Sequence, residues 1–339
     1  MTIKTDAVVI GAGPVGLFSV FELGILNLDC HIIDNLDKIG GQCIELYPDK
    51  PIYDIPGLPN CTGKSLIDNL LEQIKPFKKQ FHLNQRVNTI KKINKLWQVI
   101  TSDNKIFETP NIIIAGGVGS FEPRKPEVKD INKFEGKGFY YSVKDKAQFT
   151  DEIVAIFGGG DSALDWAVEL STIAKKIYLI HRRDNFKGSP HTLNKVKEIS
   201  KTNKIEIKTF YQLKELRGKD KLENIEIQHD NGKIEQLDIN SVIAFFGLKM
   251  ELGPIADWSL NLEEKSIVVN THNFQTNHEG IFAIGDICTY PGKLKLILSG
   301  FHEGALAAKE CFVRARPNEN FVFQYTTSST KIQKILGVK

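Results

Sequence analysis

The sequence predicts a doubly wound α/β fold, in which buried parallel strands alternate with helices, and three observations support it. A short apolar run leads directly into a glycine-rich turn, AVVIGAGPVG, and the pattern returns as VAIFGGGDSA. Each turn opens a segment of helical character, and a second apolar run follows each helix. This order predicts parallel sheets with helices on both faces. The turn, helix and second strand of each copy are 7–16, 14–26 and 30–34, then 154–163, 161–174 and 177–181.

Length and composition fit two globular domains. The chain has 339 residues, against roughly 150 for an average domain, and it is 41% hydrophobic and 25% charged. Its 44 Lys and Arg against 41 Asp and Glu give a net charge of +3, which does not predict nucleic-acid binding. Since no run reaches the ~18 apolar residues of a membrane span, we expect a cytoplasmic protein.

The cysteines predict neither a disulfide framework nor a metal site. There are five, an odd number, and they lie far apart without forming a CxxC pair: Cys30, Cys43, Cys61, Cys288 and Cys311. We therefore predict a reducing compartment and no bound metal.

The first turn has the residues that bind a pyrophosphate. Gly11 makes the tight turn, Gly13 lets the anion approach the backbone and Gly16 lets the helix pack on the strand. The helix that begins at Pro14 presents free N–H groups and a positive dipole. Asp34 stands 23 positions after Gly11, where a carboxylate accepts hydrogen bonds from a ribose and repels a ribose phosphate. A glycine-rich turn without a ligand is the alternative for either motif alone.

The second turn predicts a different nucleotide. It lies 147 positions later, with Ala163 in place of the third glycine, and His181 stands where the first copy has its Asp. Arg182 and Arg183 follow, and two guanidinium groups suit a 2′-phosphate, which favours NADP(H) over NAD(H). The alternative is that both arginines form surface salt bridges. The predicted contacts are Gly158, Gly160, Asp161, Arg182 and Arg183.

Two further strand-to-glycine segments mark where the chain passes between its domains. They are NIIIAGGVGSFEP and SVIAFFGLK, with crossing points at about 117 and 247. Near the C-terminus, GIFAIGDI places Asp286 after an apolar strand, a position suited to the ribityl hydroxyls of FAD. We predict two Rossmann-like dinucleotide-binding domains, with the NADPH domain inserted into a discontinuous FAD domain. The FAD domain comprises 1–117 and 248–339, including a C-terminal tail at 313–339, and the NADPH domain comprises 118–247.

Longer motifs join the two turns into one pattern that covers the whole chain. They include VVIGAGPVGL, IIDN, GGQ followed by ELYP, YDIPG, GGGDSALDWA, HRRDNF, GIFAIGDI and the tail YTTSST. In this arrangement the chain resembles the thioredoxin-reductase-like ferredoxin–NADP reductases of bacteria. The GGQ–LYP pair and the TTSST tail are the more specific motifs.

Cysteine content separates the chain from disulfide reductases of similar organisation. A related thioredoxin reductase would carry a CxxC between residues 118 and 247, where there is no cysteine. A glutathione-reductase-like enzyme would need a second cysteine five residues after Cys43, where Pro48 stands. We therefore expect no dithiol relay, and electrons must leave the flavin directly for an external acceptor.

The resemblance implies further FAD contacts. Asp34 would hold the adenosine ribose, Gln42 and Tyr47 would contact the flavin, and Val87 would touch adenine through its backbone. Phe121 and Asp286 would complete this part of the site.

The tail is implied to complete the flavin site across a homodimer interface. Phe321, Phe323 and Tyr325 alternate, which predicts side chains on one side of an extended segment. An aromatic stripe of this kind is also typical of a core. Tyr325 would stack on the flavin face opposite Tyr47, with Thr327 beside it, and the two tyrosines are the predicted catalytic residues.

The activity implied is that of a ferredoxin–NADP reductase. Hydride would pass between NADP(H) and flavin N5 after a domain rotation, and single electrons would pass between FAD and ferredoxin or flavodoxin. Lys187 stands where related motifs carry a third arginine and is a predicted NADPH contact. Two alternatives stay open: a reductase of another acceptor, such as a quinone or a thiol protein, and a non-catalytic FAD/NADPH sensor.

Overall fold

The two glycine-rich turns lie in separate units of a computed structural model, which describes residues 2–338 except for the side chains at 120–122 and 248–250. Unit 1 combines Met1–Phe121 with Met250–Lys339, and unit 2 is Glu122–Lys249. These bounds lie a few residues from the crossing points expected at about 117 and 247.

The first stretch of unit 1 contains most of its strands. The strands are β1 Thr2–Lys4, β2 Ala7–Ile10, β3 Cys30–Ile33, β4 Pro51–Ile52, β5 Cys61–Thr62, β6 Lys79–His82, β7 Val87–Ile93, β8 Leu96–Thr101, β9 Ile106–Thr109, β10 Ile112–Ile114 and β11 Ser120–Pro123, of which the last two residues belong to unit 2. The helices are α1 Pro14–Ile25, α2 Gln42–Glu45 and α3 Gly63–Ile74.

Unit 2 follows, and the chain then returns to unit 1. The strands of unit 2 are β12 Phe139–Tyr140, β13 Ile153–Phe157, β14 Lys176–His181, β15 Ile205–Thr209, β16 Tyr211–Arg217, β17 Asn224–His229, β18 Ile234–Asp238 and β19 Ser241–Ala244, and its helices are α4 Ile131–Phe134, α5 Asp161–Ser171 and α6 Pro190–Ser200. The remaining elements are β20 Leu248–Glu251, β21 Leu262–Glu263, β22 Ser266–Val268, β23 Ile281–Ala283, β24 Cys288–Thr289, α7 Ile297–Ala315 and α8 Thr330–Ile335. Short 3-10 helices lie at Lys146–Phe149, Gly253–Asp257 and Gly285–Ile287.

Each unit is built on a five-stranded parallel sheet. The strand order is β23-β10-β2-β3-β6 in unit 1 and β12-β19-β13-β14-β15 in unit 2. The central strands β2 and β10 are buried at every position, which explains their uninterrupted apolar sequence. In unit 1, α1 packs between α3 and α7, and in unit 2, α5 packs against α6. In both units the glycine-rich turn lies at the carboxyl end of a central strand, where α/β sheets bind ligands.

Some elements end earlier than the sequence pattern predicts. The helix expected at 14–26 stops at Ile25, because Asn27 adopts a positive φ of 57° that cannot continue a helix. The helix expected at 161–174 stops at Ser171, and Ile173 then bonds to Leu170 in a tighter turn. Within residues 2–338, no helix is both long and apolar enough to cross a membrane.

Candidate dinucleotide sites

The first turn is shaped by contacts that only glycine permits. A Cβ at Gly11, whose φ is +111°, would collide with the Ala115 carbonyl, and a Cβ at Gly16 would collide with the Gly11 carbonyl. Gly13 is different, because a Cβ there would meet nothing within 4 Å. The turn therefore closes on the strand side and leaves open space at Gly13, directly before α1.

The N-terminus of α1 fits an anion. Its N-cap, Gly13, makes no side-chain capping bond, Pro14 occupies the first helical position, and the first turn holds no acidic residue. No carboxylate in this first turn therefore competes with a phosphate for its free N–H groups.

Asp34 lies beside this turn, immediately after β3. One carboxylate oxygen accepts the Ala12 N–H at 2.6 Å, and the other accepts the Leu36 N–H at 2.8 Å. Burial raises the pKa of Asp34, and these backbone N–H groups oppose that rise. A carboxylate accepts about four hydrogen bonds, so the side chain retains capacity for ribose hydroxyls.

The segment before β7 runs alongside Asp34. The Gln85 N–H donates to the Asp34 carbonyl at 3.0 Å, and Val87, the first residue of β7, is buried. The Gln85 side chain is 6% exposed, and its Oε1 has no hydrogen-bond partner within the described residues. A buried acceptor without a donor is rare in a native fold and suits a ligand such as adenine, whose amino group donates. Gln85 could not be predicted from the sequence, since a single glutamine in a loop gives no signal.

The predicted flavin contact Gln42 also lies near the first turn. Gly41, with φ +54°, approaches Gly13 closely enough that a Cβ would lie 3.0 Å from its Cα. The side-chain amide of Gln42 lies close to Gly117, since a Cβ at Gly117 would be 3.2 Å from it. The structure thus brings Gln42 and Gly117 beside the open turn.

Tyr47 follows α2 and packs against the core of unit 1. The Cys43 thiol lies 3.8 Å from its hydroxyl, one helical turn away. Burial raises the pKa of Tyr47, and it raises the pKa of Cys43 to about 11. Both groups are therefore neutral near pH 7, and Cys43 lies within α2.

Asp286 lies in the 3-10 turn after β23. Its carboxylate makes no hydrogen bond within the described residues, and burial raises its pKa while Lys293 and Lys295 oppose the rise. An acceptor left free in this way fits a hydroxyl-rich chain such as the ribityl group. Glu303 lies beneath the turn, fully buried and ion-paired with Lys293, and it is absent from the contacts predicted from the sequence. Its signal is a charged residue on the small-residue face of α7, between Gly300 and Ala307.

The tail differs from its predicted form. Residues 321–329 form no strand, and Phe321 packs on Phe312 of α7 instead of following the other two aromatic residues. Phe323 and Tyr325 contact each other, with ring centroids 5.0 Å apart, and both are about 70% exposed. Thr327 is exposed, and its carbonyl accepts a bond from the Gln333 amide. Among the described residues of one chain, therefore, the Tyr325 ring makes a ring contact only with Phe323, edge to face, and the Phe121 side chain lies outside the described residues.

The second turn, in unit 2, repeats the first with different neighbours. A Cβ at Gly158 would crowd Ala163 and the Phe245 carbonyl, whereas a Cβ at Gly160 would meet nothing within 4 Å. Gly159 lies under the His181 ring, and burial lowers the pKa of that histidine, as do the two arginines after it. The open position before the helix is thus preserved.

Three cations lie on the loop that follows β14. Arg182, Arg183 and Lys187 are exposed, and their side chains form no ion pair within the described residues, so the salt-bridge alternative finds no support. The loop folds back on the turn, since the Lys187 N–H donates to the Gly159 carbonyl at 2.6 Å. At its far end the Ser189 N–H donates to Asp161 at 2.8 Å. The Asp161 carboxylate therefore fastens the cationic loop to the start of α5.

Comparison with known proteins establishes the family. The model of the pyridine nucleotide-disulphide oxidoreductases matches residues 5–304. A ferredoxin–NADP reductase of Pelagibacter ubique (strain HTCC1062) is 60% identical over 337 residues, which cover 99% of each chain. The chain belongs to the pyridine nucleotide-disulphide oxidoreductase family.

Further relatives agree with this assignment. A ferredoxin–NADP reductase of Nitrobacter hamburgensis is 49% identical over 338 residues, covering 99% of this chain and 98% of the relative. Among solved structures, a Lactococcus lactis thioredoxin reductase has a TM-score of 0.79 and 25% identity, and the match covers 93% of this chain and all of that one.

Family membership confirms several predictions made from the sequence. The resemblance to ferredoxin–NADP reductases is confirmed, as are the α/β fold with two Rossmann-like domains and the oxidoreductase class. The family also supports FAD and NADPH as the cofactors.

The cysteines offer no redox-active pair. All five are free and buried, and burial raises the pKa of each thiol. Within the described part of the chain, no group of three or more His, Cys, Asp and Glu residues is arranged to hold a metal ion.

Proposed function

We propose that the chain is an FAD-dependent ferredoxin–NADP reductase, which exchanges hydride between NADP(H) and FAD and single electrons between FAD and ferredoxin or flavodoxin. The observation that carries the proposal is the pairing of two open glycine turns with opposite charges. Asp34 borders the first turn, and three cations without an ion-pair partner among the described residues border the second. FAD, when bound, supplies both the hydride chemistry and the one-electron chemistry.

Unit 1 supplies the FAD contacts in this proposal. The open turn at Gly13 and the uncapped start of α1 fit the pyrophosphate, and Asp34 fits a ribose without a 2′-phosphate. Gln42, Tyr47 and Asp286 are assigned to the flavin and its ribityl chain. The full set in unit 1 is Gly11, Gly13, Pro14, Gly16, Asp34, Gln42, Tyr47, Val87, Phe121, Asp286 and Thr327.

Unit 2 supplies the NADPH contacts. Gly158 and Gly160 shape the pyrophosphate turn, and Asp161 holds the loop that presents the cations. Arg182 and Arg183, with Lys187, attract the 2′-phosphate through charge-assisted hydrogen bonds. Because these cations have no ion-pair partner within the described part of the chain, NADPH binding would break none of the ion pairs described here.

The acceptor follows from the relatives and from the cysteines. The relatives named above are ferredoxin–NADP reductases at 60% and 49% identity over nearly the full chain. The five buried, unpaired thiols provide no dithiol that could accept electrons inside the protein. An external one-electron acceptor such as ferredoxin is therefore the favoured partner.

A cytoplasmic homodimer completes the proposal. Val322, Phe323 and Tyr325 are each about 70% exposed, although the tail is anchored on both sides. Phe321 packs on α7 before them, and Ile335 packs on the core of unit 1 after them. We assign the exposed aromatic stretch to the flavin site of a second copy, with Tyr325 as the stacking ring.

The test is anaerobic electron transfer from NADPH to cytochrome c through the FAD-loaded protein, with and without ferredoxin. We expect strong stimulation by ferredoxin and a clear preference for NADPH over NADH. Flavin reduction by NADPH that ferredoxin does not stimulate would contradict the proposed acceptor. A chain that binds no FAD would contradict the proposal as a whole.

A further inference from the structure

A buried ion pair lies beneath the turn that carries Asp286, and the function proposed above makes no use of it. Glu303, on α7, is completely buried, and its partner Lys293 is 5% exposed. Taking two charges out of water is unfavourable, and their attraction offsets this only where further hydrogen bonds are made. The pair therefore has to be explained by what else Glu303 holds.

Four donors converge on this one carboxylate. Its Oε2 accepts the Gly285 N–H at 2.6 Å and faces the Cys288 thiol at 3.5 Å. Its Oε1 accepts the Tyr290 hydroxyl at 2.8 Å and the Lys293 ammonium. A group that only accepts is thus surrounded entirely by donors.

The backbone bond is the important one, because Gly285 directly precedes Asp286. Gly285 has φ +77° and packs against Val15 of α1, and Gly300 of α7 packs against the same valine. The turn is therefore fixed on one side by α1 and on the other by its bond to Glu303.

We propose that Glu303 is a positioning residue for FAD: by holding the Gly285 N–H it presents the Asp286 carboxylate to the ribityl chain, and Lys293 is its buried ion-pair partner. The inference rests on the proposed function, because Asp286 contacts FAD only if the chain binds it.

Glutamine cannot replace Glu303 while Lys293 is present. If its amide nitrogen takes the place of Oε2, it faces the Gly285 N–H, donor against donor. If the nitrogen takes the place of Oε1, it faces the Lys293 ammonium, which cannot accept. With Lys293→Met the second conflict disappears, since the nitrogen can donate to the Tyr290 oxygen while the carbonyl stays on Gly285.

The experiment measures the FAD dissociation constant by titrating apoprotein with FAD and following flavin fluorescence. We expect Glu303→Gln to weaken FAD binding about 10- to 100-fold, the effect of leaving a buried group unpaired. The double variant Glu303→Gln/Lys293→Met should return to within about threefold of the original affinity. Asp286→Asn is the reference for losing the contact itself and should weaken binding as well.

A second pair of variants decides the question even if Glu303→Gln does not fold. Glu303→Met/Lys293→Met also removes both charges, and apolar replacement of a buried ion pair is usually tolerated, but it leaves the Gly285 N–H without an acceptor. Compared with Glu303→Gln/Lys293→Met, it should bind FAD at least about tenfold more weakly. Equal affinity of these two double variants would overturn the proposal.

Asp6→Asn is the matched control for a purely structural effect. Asp6 accepts two bonds from Arg316, at 2.6 and 2.9 Å, just beyond the opposite end of α7. This variant should lower the melting temperature of the apoprotein without changing FAD affinity. If Asp6→Asn weakened FAD binding as much as Glu303→Gln, general loosening of α7 would explain both results, and the positioning role would be wrong. If the unaltered apoprotein binds no FAD, the proposed function fails, not this inference alone.

Discussion

The two glycine-rich turns have the same backbone arrangement but differ in the charges beside them. In each turn, a backbone carbonyl lies against the first glycine. The second glycine of the pattern, Gly13 or Gly160, faces open space directly before a helix. The first helical residue is Pro14 in unit 1 and Asp161 in unit 2. At the end of the next strand, Asp34 is replaced by His181, with two arginines after it.

Under the proposed function, each turn recognises a pyrophosphate, whereas the next strand and loop choose the nucleotide. In unit 1 the carboxylate of Asp34 bonds directly to the turn, at the Ala12 N–H. Unit 2 instead has a carboxylate at the start of its helix, where Asp161 accepts a hydrogen bond from the cationic loop. In the proposal, the acidic residue of unit 1 contacts a ribose, whereas the acidic residue of unit 2 positions the loop that carries the basic side chains.

The largest expected effect separates the closed glycines from the open ones. Gly11→Ala should destabilise unit 1 by about 2–6 kcal/mol, because it adds both a strained φ and a backbone collision. Urea unfolding of the apoprotein measures this loss. The Gly13→Ala variant, altered two residues away, should unfold at the same urea concentration as the original protein. Equal destabilisation by the two substitutions would contradict the distinction between an enclosed Gly11 and an open Gly13.

The nucleotide choice of unit 2 should depend on its cations. Replacing Arg182 and Arg183 by Ala should reduce the preference for NADPH over NADH by roughly a hundredfold, through the KM for NADPH. Steady-state kinetics with each nucleotide measures this effect, and FAD content is the control, since unit 1 is unaltered. A preference that survives both substitutions would assign the 2′-phosphate to other residues.

The open glycines should each serve one nucleotide. A methyl group at Gly13 occupies the space assigned to the FAD pyrophosphate, so Gly13→Ala should weaken FAD binding about 10- to 100-fold. Gly160→Ala should instead raise the KM for NADPH and leave FAD bound. Titration of apoprotein with FAD, together with NADPH kinetics, tests the pair, and a loss of FAD in the Gly160 variant would break the proposed division.

The helices after the two turns provide the smallest effect. Glu22 of α1 and Glu169 of α5 occupy equivalent positions, but Glu169 lies 3.9 Å from Lys146, whereas burial raises the pKa of Glu22 from 4.5 to about 7. Because the fold favours the neutral form of Glu22, the stability it contributes is full below pH 4.5 and is lost as the pH rises through 7.

Glu22→Gln should therefore stabilise the protein at pH 8 by about 1–2 kcal/mol and have little effect at pH 4.5. Glu169→Gln is the matched control, and it should change stability by less than about 1 kcal/mol at pH 8. Urea unfolding at the two pH values measures both, and a pH-independent effect of Glu22→Gln would contradict a half-buried carboxylate with no ion-pair partner among the described residues.

The sequence predicts what depends on local pattern. The two strand–turn–helix units follow from apolar runs and glycine spacing, and the contrast between Asp34 and Arg182 follows from counting along the chain. The Glu303 network could not be predicted, because it joins a turn, a loop and a helix through bonds that exist only after folding. The same holds for Gln85, whose unpartnered oxygen depends on the burial of its loop, and for Phe321, which packs on α7 although its spacing suggests a strand.

The burial of all five cysteines has a practical consequence for attaching labels to this protein. A thiol-directed dye or spin label reacts with the thiolate, and each native thiol is both shielded from solvent and raised in pKa. A cysteine introduced at the exposed Thr327 would therefore be labelled selectively in the otherwise unaltered sequence. Distances between such labels would report where the tail of one copy lies relative to another, with the native thiols left in place.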